Sequence, residues 1–440
     1  MKKVYFSLST ITLLSILSFS SVAEDLLTVY KTAIENDSQF RAAQAEYRAL
    51  LETKNQSIAL LLPTLSASAH YTDIDNETIT TSSTDPDNYT NKGYSLTLTQ
   101  PLYRHENFVG LGQADAVVAQ ALATLENAKQ DLIIRVATQY FAVLAAGDDL
   151  EFAKAERKSI HEQLIQTQQR FNVGLTAITD VHEAQARYDQ AVARAIVAEN
   201  TLSIAHETLR EITATSYTTL SPLSSEHPLV KPEPADIQQW VQTANTQNAL
   251  LIASNKNVDV ARSEVSRQGA GHLPTLDLTA NHSYTDYDDG FPLGGAQENN
   301  SNSVSLQLNV PLYQGGLVNS LTRAAEHRLI QARETNEQQK RATERQTRNS
   351  YLSVVASVST VKALKQALAS SLIALEATQA GFEVGTRTAV DVLNSQRELF
   401  GARRDYARVR YNYVLETLRL KLAAGTLSIV DLEQLNPWLK

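Results

Sequence analysis

Apolar residues recur along this chain with two different periods, and the two periods occupy different stretches. Leu65, Ala67, Ala69 and Tyr71 alternate with Ser66, Ser68, His70 and Thr72, and Tyr94, Leu96 and Leu98 alternate with Ser95, Thr97 and Thr99. The same alternation returns at Leu276, Leu278 and Ala280 against Asp277, Thr279 and Asn281. It returns again at Val304, Leu306, Leu308 and Val310 against Ser303, Ser305, Gln307 and Asn309. A period of two predicts strands with one apolar and one polar face, over residues 64–73, 93–102, 275–285 and 303–311. Each is about ten residues, the length a tilted strand needs to cross a bilayer. Long polar segments, 73–92 and 286–302, join the members of each pair and are predicted as loops of the kind outer-membrane barrels present outward.

Elsewhere the steps are three and four. Val181, Ala184, Tyr188, Ala191, Ala195, Ala198, Leu202, Ala205, Leu209 and Ile212 form a heptad seam, repeated through Val392, Ser395, Leu399, Ala402, Tyr406, Val409 and Tyr413. Such seams pack helix on helix with left-handed supercoiling, and their Ala and Ser positions permit close approach. Upstream of each seam, residues 105–171 and 317–381 favour helix with almost no Pro or Gly. If continuous, each is a rod about 100 Å long.

The chain also matches itself at an offset of 210 to 211. LPTL at 62–65 meets LPTL at 273–276, LTLTQPLY at 96–103 meets LQLNVPLY at 306–313, and RFNVGLTAITDV at 170–181 meets GFEVGTRTAVDV at 381–392. A period so long makes each copy a whole structural unit, not a stacked module. The expected division is a signal peptide at 1–23, a first repeat at 24–230 and a second at 231–440. Residues 214–236, which carry four of the eleven prolines within 216–236, and 425–440 are expected to form connector or equatorial segments.

Composition narrows the partners. Lys2 and Lys3, the apolar run Val4–Phe19, and small residues at Ser21 and Ala23 predict a cleaved secretory signal. Its removal takes two positive charges from a formal net charge of -9, so nucleic acid is not an expected partner. The absence of cysteine excludes disulfides, thiol catalysis and thiolate metal sites. After the signal, no run of 18 apolar residues occurs, so strands would have to do any membrane crossing. Four strands cannot close a barrel, whereas three copies would supply twelve and leave a lumen.

Enzymatic motifs are weak. GLGQAD at 110–115 ends on Asp115 and lacks a following βαβ unit, and His161-Glu162, His182-Glu183 and His206-Glu207 lack the second His of HExxH. No catalytic residue, cofactor or resident metal is expected. The repeated turn carries the chemistry instead. Gly174 and Gly385 supply the left-handed conformation that ends a helix, and Asp180 and Asp391 suit the first turn of the next, with Thr388 and Asp391 spaced as a capping box. If several chains surround an axis, Asp391 becomes a ring of carboxylates that attracts and can be blocked by cations, and Arg387 can bridge to Asp180 on a neighbouring helix pair.

RFNVGLTAITDV, GHLPTLDLTA (271–280), PLYQGG (311–316), VGTRTAVDVL (384–393) and GTLSIVDLEQLN (425–436) resemble, in order and spacing, the TolC family of outer-membrane channel-tunnel proteins. The resemblance spans nearly the whole mature chain. It implies an α+β membrane protein: a homotrimer forming a twelve-stranded barrel in the outer membrane of a Gram-negative bacterium, continued by a long coiled-coil barrel through the periplasm. The implied function is a passive exit duct for multidrug efflux and type I protein secretion, opened by a periplasmic adaptor (membrane fusion) protein and an inner-membrane transporter of RND, MFS or ABC type. It implies a lock from Arg387 and Asp180 supported by Gln163. The family's lock Tyr is Phe382 here, and its second pore Asp is Asn394. Alternative functions are a channel dedicated to one system, such as metal-ion efflux, or a soluble periplasmic coiled-coil scaffold.

Overall fold

The computed structural model describes residues 23–79, 84–224, 228–288 and 296–439. The expected signal peptide lies outside them up to residue 22, as do the middles of both predicted loops. Two passes of one order build the chain. The first runs α1 (Leu26–Asn36), α2 (Ser38–Ala59), β1 (Thr64–Ile79), β2 (Thr84–Tyr103), α3 (His105–Asn172) and α4 (Ile178–Thr213). The second runs α5 (Ile237–Gln247), α6 (Ala249–Gly269), β3 (Thr275–Tyr287), β4 (Gln297–Asn309), α7 (Leu317–Glu383) and α8 (Ala389–Ala424), followed by α9 (Ile429–Leu435).

The four strands form one antiparallel sheet in the order β1-β2-β3-β4. Register puts Leu65, Leu98, Ala280 and Val304 in one row across it, and Thr64, Thr99, Thr279 and Ser305 in another. Alternation then sends the two rows to opposite faces. The apolar face is open within a single chain: Leu65 is 72% exposed and Val304 77%. Above the aliphatic rows stands an aromatic tier, with Tyr94 and Tyr284 stacked at 5.6 Å between centroids. The polar face is laced by its own hydroxyls and amides, as in Ser68–Ser95 at 2.9 Å and Thr97 Oγ1 donating to Asn281 at 2.9 Å.

The strands run longer than the apolar pattern predicts. Much of the segment expected as a loop at 73–92 is strand in β1 and β2, and β4 begins at Gln297. Backbone pairing continues where both faces turn polar, and there the period-two signal vanishes although the ladder does not. A bulge between Pro101 and Tyr103 marks the exit of β2, at a proline that cannot donate to the ladder. Just beyond it, Arg104 grips Asp277 of β3 with two hydrogen bonds of 3.0 and 2.8 Å.

Both rods are single helices. α3 has 68 residues and α7 has 67. α3 runs straight through Gly110, Gly112 and Gly147, so GLGQAD is helix and not a phosphate-binding loop. One stretch of α3 is long and apolar enough by length and composition to cross a membrane, although its apolar residues are not in an unbroken run. α3 packs on α2, α4, α6 and α8, yet only 17% of that apolar stretch is buried within the chain, so most of its apolar surface lies outside the contacts of a single copy.

The main core sits at mid-height. Tyr30, Leu132, Tyr140, Phe141, Tyr413 and Leu418 are all buried there, with Phe141 stacked on Tyr411 at 5.6 Å. Connector residues close over this core. Tyr140 donates to the Ser221 carbonyl at 2.7 Å, Arg410 donates to the carbonyls of Leu223 and Ser224, and Tyr413 exchanges hydrogen bonds with the backbone of Val230. Below the core, α3/α4 and α7/α8 run on as two antiparallel hairpins joined along α3 and α8. Their cores are small, with five buried apolar residues in each cluster.

Candidate functional site

The free ends of the two hairpins bring together most of the residues singled out in the sequence. Both rods stop at a glycine in the left-handed region, Gly174 at φ 77° and Gly385 at φ 81°. A Cβ at either glycine would meet nothing within 4 Å, so backbone conformation and not space selects glycine. Around them the orphaned carbonyls are recaptured: Leu175 N–H donates to Arg170 O at 2.8 Å, and Thr386 N–H to Gly381 O at 2.8 Å.

The helices that follow start differently. Thr388 and Asp391 form a full capping box at the start of α8: Asp391 N–H donates to Thr388 Oγ1 at 3.2 Å, and Thr388 N–H donates to Asp391 Oδ2 at 2.9 Å. The hydrogen bonds from Thr388 hold the Asp391 carboxyl below the ordinary 3.8, and the charge of Arg387 adds a smaller push the same way. Asp391 is thus an ionised cap that also faces solvent. Asn394, nearly one helical turn on, is only partly buried. At the other tip Ala177 is the N-cap residue and offers no side-chain bond. Asp180 instead accepts a hydrogen bond from the Thr176 hydroxyl.

Arg387 is exposed and, among the described residues of the chain, has no carboxylate within ion-pair distance. The two members of the expected bridge therefore stand at separate tips, and one chain alone does not join Arg387 to Asp180. The Arg387 stem lies across Gly381, where a Cβ would come within 2.8 Å of its Cγ.

Gln163 is buried in α3, 6% exposed, and its amide nitrogen has no partner; Gln396 of α8 is 3% exposed and its amide oxygen has none. Each such group costs about 1–3 kcal/mol. Phe382 is buried and carries the Arg170 guanidinium over its ring, 4.5 Å from the centroid. Higher up, the carboxylate of Glu156, 1% exposed, is shared by Arg194 at 2.9 Å and Arg404 at 3.4 Å. Arg408 pairs with Asp149 at 2.9 Å, and Tyr411 donates to Asp148 at 2.6 Å. Burial pushes the Asp148 carboxyl and the Tyr411 phenol up, which favours their neutral forms.

Sequence reasoning missed Arg170, Glu156, Arg404 and Gln396. One signal was available: in the repeated turn, Arg170 aligns with Gly381, a second charge difference besides Thr176 against Arg387. Glu156 had none, since an acidic residue on a helix reads as solvated until its surroundings are known. Among the described residues, no three His, Asp or Glu side chains are grouped to hold a metal ion.

The family model described as outer membrane efflux protein matches the chain twice, at residues 29–215 and 240–426. Outer membrane protein TolC of Vibrio cholerae is 37% identical over 97% of this chain and 96% of the relative. Alkaline protease secretion protein AprF of Pseudomonas aeruginosa is 31% identical over 96% of this chain and 88% of its own. The fold is also that of the CmeC outer membrane channel of Campylobacter jejuni, at a TM-score of 0.78, with 15% identity, covering 94% of this chain and 90% of that one.

Proposed function

The chain belongs to the outer membrane efflux protein family, a membership that both its repeats carry, and from that premise we propose a trimeric export duct gated at the hairpin ends. Membership makes it an outer-membrane efflux or secretion channel and not an enzyme. Trimerisation is supported by the sheet. β1 and β4 leave unpaired edges, which hydrocarbon does not tolerate, and an apolar outer face with a polar inner face suits a wall between lipid and water. Three copies close a twelve-stranded barrel wide enough for a lumen.

The observation that carries the gate is the contrast along the hairpins: an aromatic core at mid-height, and below it small clusters, orphaned amides and isolated polar links. That end has least to lose on opening. Around the axis Arg387 of one chain meets Asp180 of the next, while Asp391 forms a cation-attracting ring with Asn394 as its uncharged neighbour. Phe382 supplies no hydroxyl to this lock, and Gln163 lines the interface behind it. A periplasmic adaptor and an inner-membrane transporter supply the energy and the opening force; the duct itself is passive. The relative named for alkaline protease secretion supports protein among its cargo.

The test is planar-bilayer conductance of the purified full chain. Arg387→Ser removes an exposed ion pair of about 0.2–1 kcal/mol at each of three interfaces, so the open fraction should rise several-fold. An unchanged closed state would overturn the gate.

A further inference from the structure

The repeated turn differs at a position besides the one occupied by Arg387. The first copy begins Arg170-Phe171 and the second Gly381-Phe382, so each copy carries one arginine at a place where the other has none. The two phenylalanines have different fates. Phe171 is 37% exposed, whereas Phe382 is 8% exposed in a small cluster with Leu375, Ala389, Val392 and Leu399. What covers it includes the arginine of the other copy, with the Arg170 guanidinium carbon 4.5 Å from the Phe382 centroid. Arg170 makes no ion pair among the described residues, so this ring is the contact that its charge has. At the matching place in the second copy, glycine leaves the space across which the Arg387 stem folds.

We propose that Arg170 is a second latch of the gate, a positioning residue that holds the second hairpin to the first within each chain by stacking its cation on Phe382. This rests on the reading of the hairpin ends as the gate. A guanidinium is weakly hydrated and planar, and it lies over an aromatic face at little desolvation cost. The pairing suits this chain in particular, because a ring without a hydroxyl can still receive a cation. The exchange of arginine for glycine between copies then has one physical sense. One arginine links the hairpins inside a chain through a ring, and the other is left free to reach a carboxylate outside it.

The two latches also differ in kind. An exposed ion pair is screened by salt, with a Debye length of about 10 Å at 0.1 M. A cation against a buried ring at van der Waals distance is screened much less. Opening of the intrachain latch is therefore the step that salt barely touches.

The experiment is bilayer recording on full-length trimers, with outer-membrane trimer yield as the folding control. Arg170→Gln and Phe382→Leu should each raise the open fraction roughly two- to thirtyfold per chain, and the double variant no further than the larger single. Phe382→Tyr keeps the ring and should stay closed. The Arg170→Gln effect should persist at high salt, where that of Arg387→Ser shrinks. Arg170 is partly exposed, so its replacement leaves the fold standing; Phe382→Leu provides the same readout from the other partner. The latch is overturned if Arg170→Gln is as closed as the parent, or if the double variant equals the product of the singles. Arg387→Ser, run in parallel, separates the two claims. If it opens the channel while Arg170→Gln does not, the gate stands and the latch falls; if neither variant opens it, the gate itself falls.

Discussion

The two hairpin tips descend from one sequence plan, and they solve the same problem of ending a rod and restarting a helix with different side chains. Both turn on a left-handed glycine. At the second tip Asp391 is consumed by its own helix, receiving two hydrogen bonds from Thr388, and Arg387 has no ion-pair partner among the described residues of the chain. At the first, Thr176 touches Asp180 but no side chain caps the helix, so that carboxylate is less committed to local structure. The duplicated turn therefore offers a spare cation at one tip and, at the other, a carboxylate that no helix cap consumes. In the gate proposed above, these two would form the complementary pair.

The clamp that holds the two hairpins side by side gives the largest way to break this comparison. Glu156→Ala removes a buried carboxylate shared by two arginines whose side chains are 42% and 29% exposed. Full burial would make the loss 3–5 kcal/mol, but water can reach both arginines, so about 2 kcal/mol is expected from denaturant unfolding in detergent. Both hairpins should also become more susceptible to protease, because the clamp serves them equally.

The glycines provide a symmetric test. Gly174→Ala and Gly385→Ala place a Cβ in open space but at φ near 80°, so each should cost about 1–2 kcal/mol and by similar amounts. A large inequality in helix stability would mean that one tip is held by something besides its backbone.

The smallest effect separates cap from ring at Asp391. Because its folded carboxyl titrates below the ordinary 3.8, the cap contribution is complete above that value and is lost as pH falls through the depressed one. Block of the channel by divalent cations should follow the same course, constant from neutral pH down to about 4 and fading below it. Asp391→Ala should weaken that block at neutral pH, and recordings in which block is unchanged would leave Asp391 as a helix cap alone.

Much of the fold was legible because its signals are local. Alternation at Leu65–Tyr71 and Val304–Val310 reports a strand with unlike faces, and the seam from Val181 to Ile212 reports a helix with a partner. The duplication is legible because the two copies keep order and spacing at an offset of 210 to 211 residues. The strand ends were less legible, since above the apolar rows both faces are polar. Of the site, the glycines and the capping box could be read directly, because each is completed within a few residues.

Where the chain alternates, winds and turns follows from local order in the sequence, since periodicity, left-handed glycines and caps are satisfied by near neighbours along the chain. Tertiary structure alone decided which charges are partnered between elements, as opposed to the i,i+3 and i,i+4 pairs within single helices. Glu156 meets Arg404 across 248 positions, and Arg170 finds the ring of Phe382 in the other repeat. No local pattern encodes such pairs. They follow from the register in which α3 lies against α8, and that register is set by the aromatic core at mid-height, far from the tips it aligns.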